Sequence, residues 1–192
     1  MKIEREREVA QRRKEQQQEV QKIQRRKAEI TEIKAKLFSL FGPVNPHHRG
    51  KALEEILNRL FKVSGILVKE AFTMRGTEGE GVVEQIDGAI ELNGEFYLVE
   101  MKWHKERLGV DIVSSHLVRV FNRGQARGII ISASGYTEPA VTTCRDALSQ
   151  ITVVLCELSE LVSLLEEERD VKSWLLNKIQ AAIIEKNPFA LL

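Results

Sequence analysis

Two carboxylates and a lysine flank a tight reversal in this 192-residue chain. Asn93-Gly94, set between two alternating apolar runs, is the strongest short signal for a two-residue β-hairpin with a type I′ turn. Such a turn pairs Leu92 with Glu95 and makes every further pair sum to 187, so Asp87 is expected to face Glu100 and Gln85 to face Lys102. Side chains alternate along a strand, so all four project from one face, with directly opposed Cβ atoms about 4.5–5.5 Å apart. Like charges at that distance destabilise a sheet. The neighbours Val82, Val83, Ile86, Ile90, Phe96, Leu98 and Val99 are apolar, which makes two anionic carboxylates costly unless a cation lies between them or one binds a proton. A hard divalent ion meets that need. Magnesium suits it best, because it takes one or two carboxylates and leaves its remaining sites to water and phosphate. Lys102, two residues past Glu100 on the same face, can reach an attacking water or a phosphate oxygen. A third acid lies upstream, where the apolar stripe Leu53, Leu57, Leu60 marks a helix. Glu54 falls about 80° from the centre of that stripe and borders the core, whereas Glu55 falls about opposite it and faces solvent.

The elements that must position these residues follow from hydrophobic period. A helix is expected over about 3–40, since that stretch is rich in Glu, Gln, Lys and Arg and has no Gly or Pro before Gly42-Pro43. A second helix is expected over 49–63, a strand over 65–72, a loop over 76–81, and the hairpin over 82–103. Val110 to Gly124 marks a helix, Gly128 to Ser132 a strand, Val141 to Leu148 a helix, and Ile151 to Cys156 a strand. One or two helices over 159–186 close the chain. The fold class is therefore α/β, with a central mixed sheet covered by helices. The expected units are a charged helical arm at 1–41, a catalytic-type domain at 42–158, and C-terminal helices at 159–192 that pack on it.

Composition narrows the function. A 43% hydrophobic and 30% charged chain is neither disordered nor fibrous, and no run reaches the length of a membrane span. A cytoplasmic protein is the expectation, since charges stand where a signal peptide carries its apolar segment. Cys144 and Cys156 have neither CxxC spacing nor His neighbours, so they read as buried thiols. Residues 1–36 hold 12 Lys and Arg against 7 Asp and Glu, while the remainder of the chain is acidic overall. The seam Ile23, Ile30, Leu37, with Ile33 and Leu40, supports about two heptads, and three readings stand: last turns packed on the domain, a dimerising coiled coil, or a DNA-binding arm.

Gly50-Lys51-Ala52-Leu53-Glu54, then Gln85-Ile86-Asp87, then Glu100-Met101-Lys102 resembles the PD-(D/E)XK nuclease superfamily. The runs RGKALE, EQIDG, VEMKW and GIIIS are most similar to its Mrr-type restriction endonuclease branch. The resemblance covers about residues 47–158 and implies a restriction-endonuclease-like αβββαβ core. It implies a Mg²⁺-dependent endonuclease acting on DNA, with Mn²⁺ as a substitute ion, in a restriction or defence role. Glu54, Asp87 and Glu100 would help hold the metal, Lys102 would assist the attacking water, and Gln85 stands where some members keep a functional polar residue. The proline that precedes the first acid in that family is Ile86 here. Arg75, His104, Lys105, Arg107 and Arg123, with Arg119 and Arg127, are candidate phosphate contacts. DNA, a second copy of the chain and a separate recognition protein are the expected partners, and no membrane. The competing reading is a catalytically inactive nucleic-acid-binding or assembly protein of the same fold, acting through its basic helix. Four features read as bland: His47-His48 as capping or solvent residues, His116 as structural, Trp103 as core, and the 75–81 loop as no phosphate cradle, since it lacks the Lys-Ser/Thr pair.

Overall fold

Thirty-eight consecutive residues without glycine or proline form the first helix, α1 (Lys2–Ser39). The computed structural model describes residues 2–43, 45–75 and 82–192, leaving aside the side chains of residues 2–10, 74, 75 and 82–84. The loop expected at 76–81 therefore lies outside the described residues. The second helix, α2 (Pro46–Val63), starts three residues before its expected position. Asn45 caps it, its side chain accepting from the His47 amide at 3.0 Å, and Pro46 occupies the first turn, where its missing N–H costs nothing. That cap was written in the Asn-Pro pair and outranks the apolar stripe as a start signal. Gly65, with φ of 71°, ends the helix rather than opening the strand. As a result β1 runs over Leu67–Arg75, two residues later than the apolar run suggested.

β2 (Val82–Leu92) and β3 (Glu95–Lys102) form the hairpin. Asn93 and Gly94 have φ of 52° and 83°, both in the left-handed region that a type I′ turn requires. Leu92 pairs with Glu95 and the expected register holds through Gly88 and Val99. α3 (Val110–Phe121), β4 (Arg127–Ser132), α4 (Glu138–Ala147) and β5 (Val153–Glu157) follow. Two helices close the chain, α5 (Leu158–Glu166) and α6 (Val171–Ile184). The sheet order is β1-β2-β3-β4-β5, antiparallel through β3 and parallel from β3 to β5, so it is the mixed sheet that the sequence pattern indicated.

Each face of the sheet is covered. On one, Tyr97, Val99 and Met101 of β3 meet Leu53, Leu57 and Phe61 of α2, Leu161 and Leu165 of α5, and Trp174 and Leu175 of α6. Ile33, Leu37 and Leu40 of α1 belong to this same core and are 0%, 1% and 5% exposed. Most of the heptad seam is thus used within the chain, and Ile23 is left about half exposed. On the other face Ile130 and Leu155 meet Val113 and Leu108, with Ala140 and Cys144 of α4, while Leu98 and Ile86 pack under Val120 of α3. Lys178 is wholly buried, ion-paired to Glu160 at 2.7 Å and donating to the Ala190 carbonyl, which seats the C-terminal tail on α5 and α6. The tail's Pro188 carbonyl accepts from the Leu155 amide at 2.8 Å. Among the described residues no helix is long and apolar enough to cross a membrane.

Candidate active site

Where the hairpin ladder stops, the chemistry collects. Gly88↔Val99 is the last pair of β2 with β3, so Asp87 does not sit strictly opposite Glu100 as the summed register would have it. Two contacts draw Asp87 out of the ladder. Its Oδ2 accepts from the Met101 amide at 2.8 Å, and its carbonyl accepts from Asn58 Nδ2 of α2 at 2.8 Å. Gly88 permits this close approach of helix to strand, because a Cβ there would lie 2.5 Å from Asn58 Oδ1. Both contacts fall on the residue that carries the acid, where the pairing of β2 with β3 ends while its pairing with β1 continues.

The two carboxylates still converge, through the lysine. Lys102 Nζ lies 2.6 Å from Glu100 Oε1 and 3.3 Å from Asp87 Oδ2. Both acids are nearly sealed from water, at 2% and 4% residue exposure for Asp87 and Glu100, so their approach requires a cation between them or a proton on one. Lys102 is itself anchored at its backbone, pairing with Ser132 of β4. Glu54 of α2 borders the cluster, half-buried, and Glu55 faces solvent as the helical angle indicated.

The electrostatics divide the acids. Burial pushes Asp87 above its ordinary value, and the negative charge of Glu100 adds to the push. Burial, then the charge of Asp87, raise Glu54 to about 7. Burial acts in the same direction on Glu100, but the His116 ring and Lys102 outweigh it and hold that carboxyl down to about 2. His116 Nδ1 stands 3.6 Å from Glu100 Oε2, beyond hydrogen-bond reach and without another partner, so the direct ion pairs are the stronger hold. For Lys102, Asp87 and Glu100 overcome burial and raise the ammonium, which stays charged. One acid is thus firmly ionised, and two retain protons more readily than usual.

The structure separates the remaining candidates. Gln85 is exposed, pairs with Thr73 of β1, and takes no part in the ion pairs around Asp87; the break in the ladder removes it from the position opposite Lys102. His104, Lys105 and Arg107 are exposed in the segment after β3 and form no ion pair with another described residue. Arg123 Nη1 donates to the Arg119 carbonyl at 3.5 Å, Arg127 pairs with Glu95 at 2.8 Å, and the Arg75 side chain lies outside the described residues. Trp103 packs at 5.0 Å against Phe41 with Arg49 over its ring, away from the acids. Asn58 escaped the sequence reading, and His116 and Arg119, read there as a structural residue and a phosphate contact, were not placed beside Glu100. Asn58, 4% exposed in the apolar face of α2, could have been found as a polar residue in a core stripe. His116, wholly buried, and Arg119 stand one helical turn apart on α3; Arg119 Nη1 reaches Glu100 Oε2 at 2.7 Å. Their convergence on Glu100 depends on how α3 crosses β3, which no local pattern encodes.

No curated protein sequence matches the chain. Solved structures to which the chain shows some similarity include VC1899 from Vibrio cholerae, with 19% identity, a TM-score of 0.46, and 68% of this chain and 36% of that one covered. The DNA modification-dependent restriction endonuclease AspBHI has 17% identity and a TM-score of 0.45, covering 81% and 40%. The MspJI restriction endonuclease, solved with a 27-mer oligonucleotide, has 16% identity and a TM-score of 0.42, covering 86% and 38%. The chain thus spans well under half the length of each of these three. The Mrr catalytic-domain family, described as a restriction endonuclease, matches residues 47–165, a segment that contains Glu54, Asp87, Glu100 and Lys102. With more than half of its length inside that match, the chain belongs to the Mrr restriction endonuclease family.

Proposed function

We propose that this protein is a Mg²⁺-dependent endonuclease that hydrolyses phosphodiester bonds in DNA, in a restriction or defence setting. The observation that carries the reading is the pair of buried carboxylates, Asp87 and Glu100, bridged by the Lys102 ammonium. The donor set fits magnesium. Among the described residues no group of three His, Cys, Asp or Glu side chains is close enough to hold a metal ion alone. Two hard carboxylates with water and phosphate are what this ion accepts, and Mn²⁺ would substitute. Asp87 and Glu100 would hold it, with Glu54 as an outer ligand. When bound, the ion lowers the pKa of water and polarises the phosphoryl oxygen. Lys102 donates from its ammonium to the attacking water and orients it, and offsets negative charge as it builds on the phosphate. Asn58 and the Met101 amide keep Asp87 in place through the reaction. A homodimer would supply two such sites for a double-strand cut, and a separate protein would supply target recognition.

The test is incubation of plasmid and linear DNA with purified protein in Mg²⁺, Mn²⁺ or EDTA, beside Asp87→Ala and Lys102→Ala. Cutting is expected with either ion, is abolished by EDTA, and falls at least about a hundredfold in each variant. Cutting indifferent to both substitutions defeats the assignment. Salt-sensitive DNA binding without cutting by the unmutated protein favours the inactive, helix-driven reading.

A further inference from the structure

Among the described residues the Arg119 side chain has one partner, Glu100, and that attachment occupies one of the two carboxylate oxygens that a metal ion at this site would compete for. Glu100 Oε1 is taken by Lys102 at 2.6 Å and Oε2 by Arg119 at 2.7 Å. A divalent ion held by Glu100 would meet a cation already seated on each oxygen, and positive charges crowded onto one carboxylate repel each other. One of the surrounding cations must yield. Lys102 is held by two acids at once. Arg119 is held by one; its side chain is as exposed as that of Lys102, at 27%, and none of its nitrogens is both buried and unpartnered, so its other N–H groups lie at the rim of the site.

We propose that Arg119 is a phosphate clamp parked on Glu100: it neutralises the carboxylate when no divalent ion is bound, and transfers to the scissile phosphate when the ion takes its place. A guanidinium suits this exchange, because its planar fork matches a carboxylate and a phosphate equally well. Leaving Glu100 opens the metal site and arriving at the phosphate adds positive charge where negative charge develops, so a single side chain couples metal loading to substrate grip. The inference rests on the nuclease reading above and adds to it a residue from α3.

The exchange predicts effects of opposite sign in one variant. In Arg119→Gln the competitor is gone, so Mg²⁺ or Ca²⁺ titrated calorimetrically into the DNA-free protein should bind about fivefold more tightly. Cleavage of DNA in saturating Mg²⁺ should fall about a hundredfold in kcat with KM changed far less, because the clamp acts on the transition state. Arg119→Lys, which keeps the charge but loses the fork, should lie between parent and Arg119→Gln in both measurements. Weaker ion binding in Arg119→Gln overturns the proposal, since it would mean that Arg119 only props Glu100 in place. Unchanged cleavage overturns it as well. A parent protein that binds no divalent ion and cuts nothing removes the nuclease reading and this inference together. A parent that binds and cuts, beside an Arg119→Gln identical in both, removes this inference alone.

Discussion

Three carboxyl groups within one small site titrate in different directions, and the environment of each says why. Glu54 is raised from 4.5 to about 7 by burial and by the charge of Asp87. The folded chain therefore keeps a proton that the unfolded chain has already released, and stability from this group falls as pH rises from about 4.5 to about 7, then stays level. Glu54→Gln, which cannot ionise, escapes that loss. In EDTA the variant and the parent are expected to have equal urea midpoints near pH 4, and at pH 8 the variant should be more stable by about 1 kcal/mol, after allowance for solvent screening at a half-buried position. A parent more stable than the variant at pH 8 would contradict the raised value. Glu100 behaves oppositely. Held down to about 2, it adds stability above about 4.5 that is lost as the pH falls toward 2. The acids themselves were legible before any coordinates, since an Asn-Gly turn fixes which side chains meet near it. The partners of Glu100 were legible only in part: Lys102 follows from the strand period, whereas Arg119 and His116 come from a helix whose crossing angle is a tertiary matter.

Helices and strands show where pattern reading stops. The hairpin register came out as expected for the five pairs nearest the turn, then failed at Asp87. The reason is that Asp87 turns its side chain to the Met101 amide and α2 closes on β2 through Asn58 over Gly88, a tertiary contact that the turn does not encode. Element boundaries moved for similar reasons, with Asn45-Pro46 starting α2 early and Gly65 delaying β1. The seam of α1 is the sharpest case. Its spacing suits a coiled coil and an amphipathic helix packed on a domain equally well, and the apolar faces of α2, α5 and α6 claim it. Leu37→Ala is accordingly expected to destabilise the fold by about 2–5 kcal/mol in urea, the range for a buried leucine that leaves a cavity. A loss under about 0.5 kcal/mol, the size of an exposed-site change, would mean that this stretch of α1 does not dock on the domain.

At the scale of the whole molecule, α1 has two halves with different fates. Ile33, Leu37 and Leu40 lie in the core, and Arg59 of α2 grips Glu32 at 2.6 Å. Farther up, Arg26 and Lys27 make exposed ion pairs with Asp170 and Glu168, and upstream of Arg26 no hydrogen bond or ion pair joins the helix to the rest of the described residues. Deleting residues 1–22 should leave the melting temperature within a few degrees of the parent, because only exposed side chains are lost among those described. If the arm pairs two copies, sedimentation velocity should show a concentration-dependent dimer for the parent and a monomer for the truncated chain; equal masses at every concentration would reject arm-mediated pairing. The helix also acts as a ruler. Residues 2–25 rise about 35 Å at 1.5 Å each, roughly the length of ten base pairs of duplex, from a base that the hydrophobic core clamps. Whatever grasps its far tip is therefore held at a set stand-off from the acids, and, if those acids cut DNA as proposed, lengthening the rod by whole turns would shift where along a duplex the two meet.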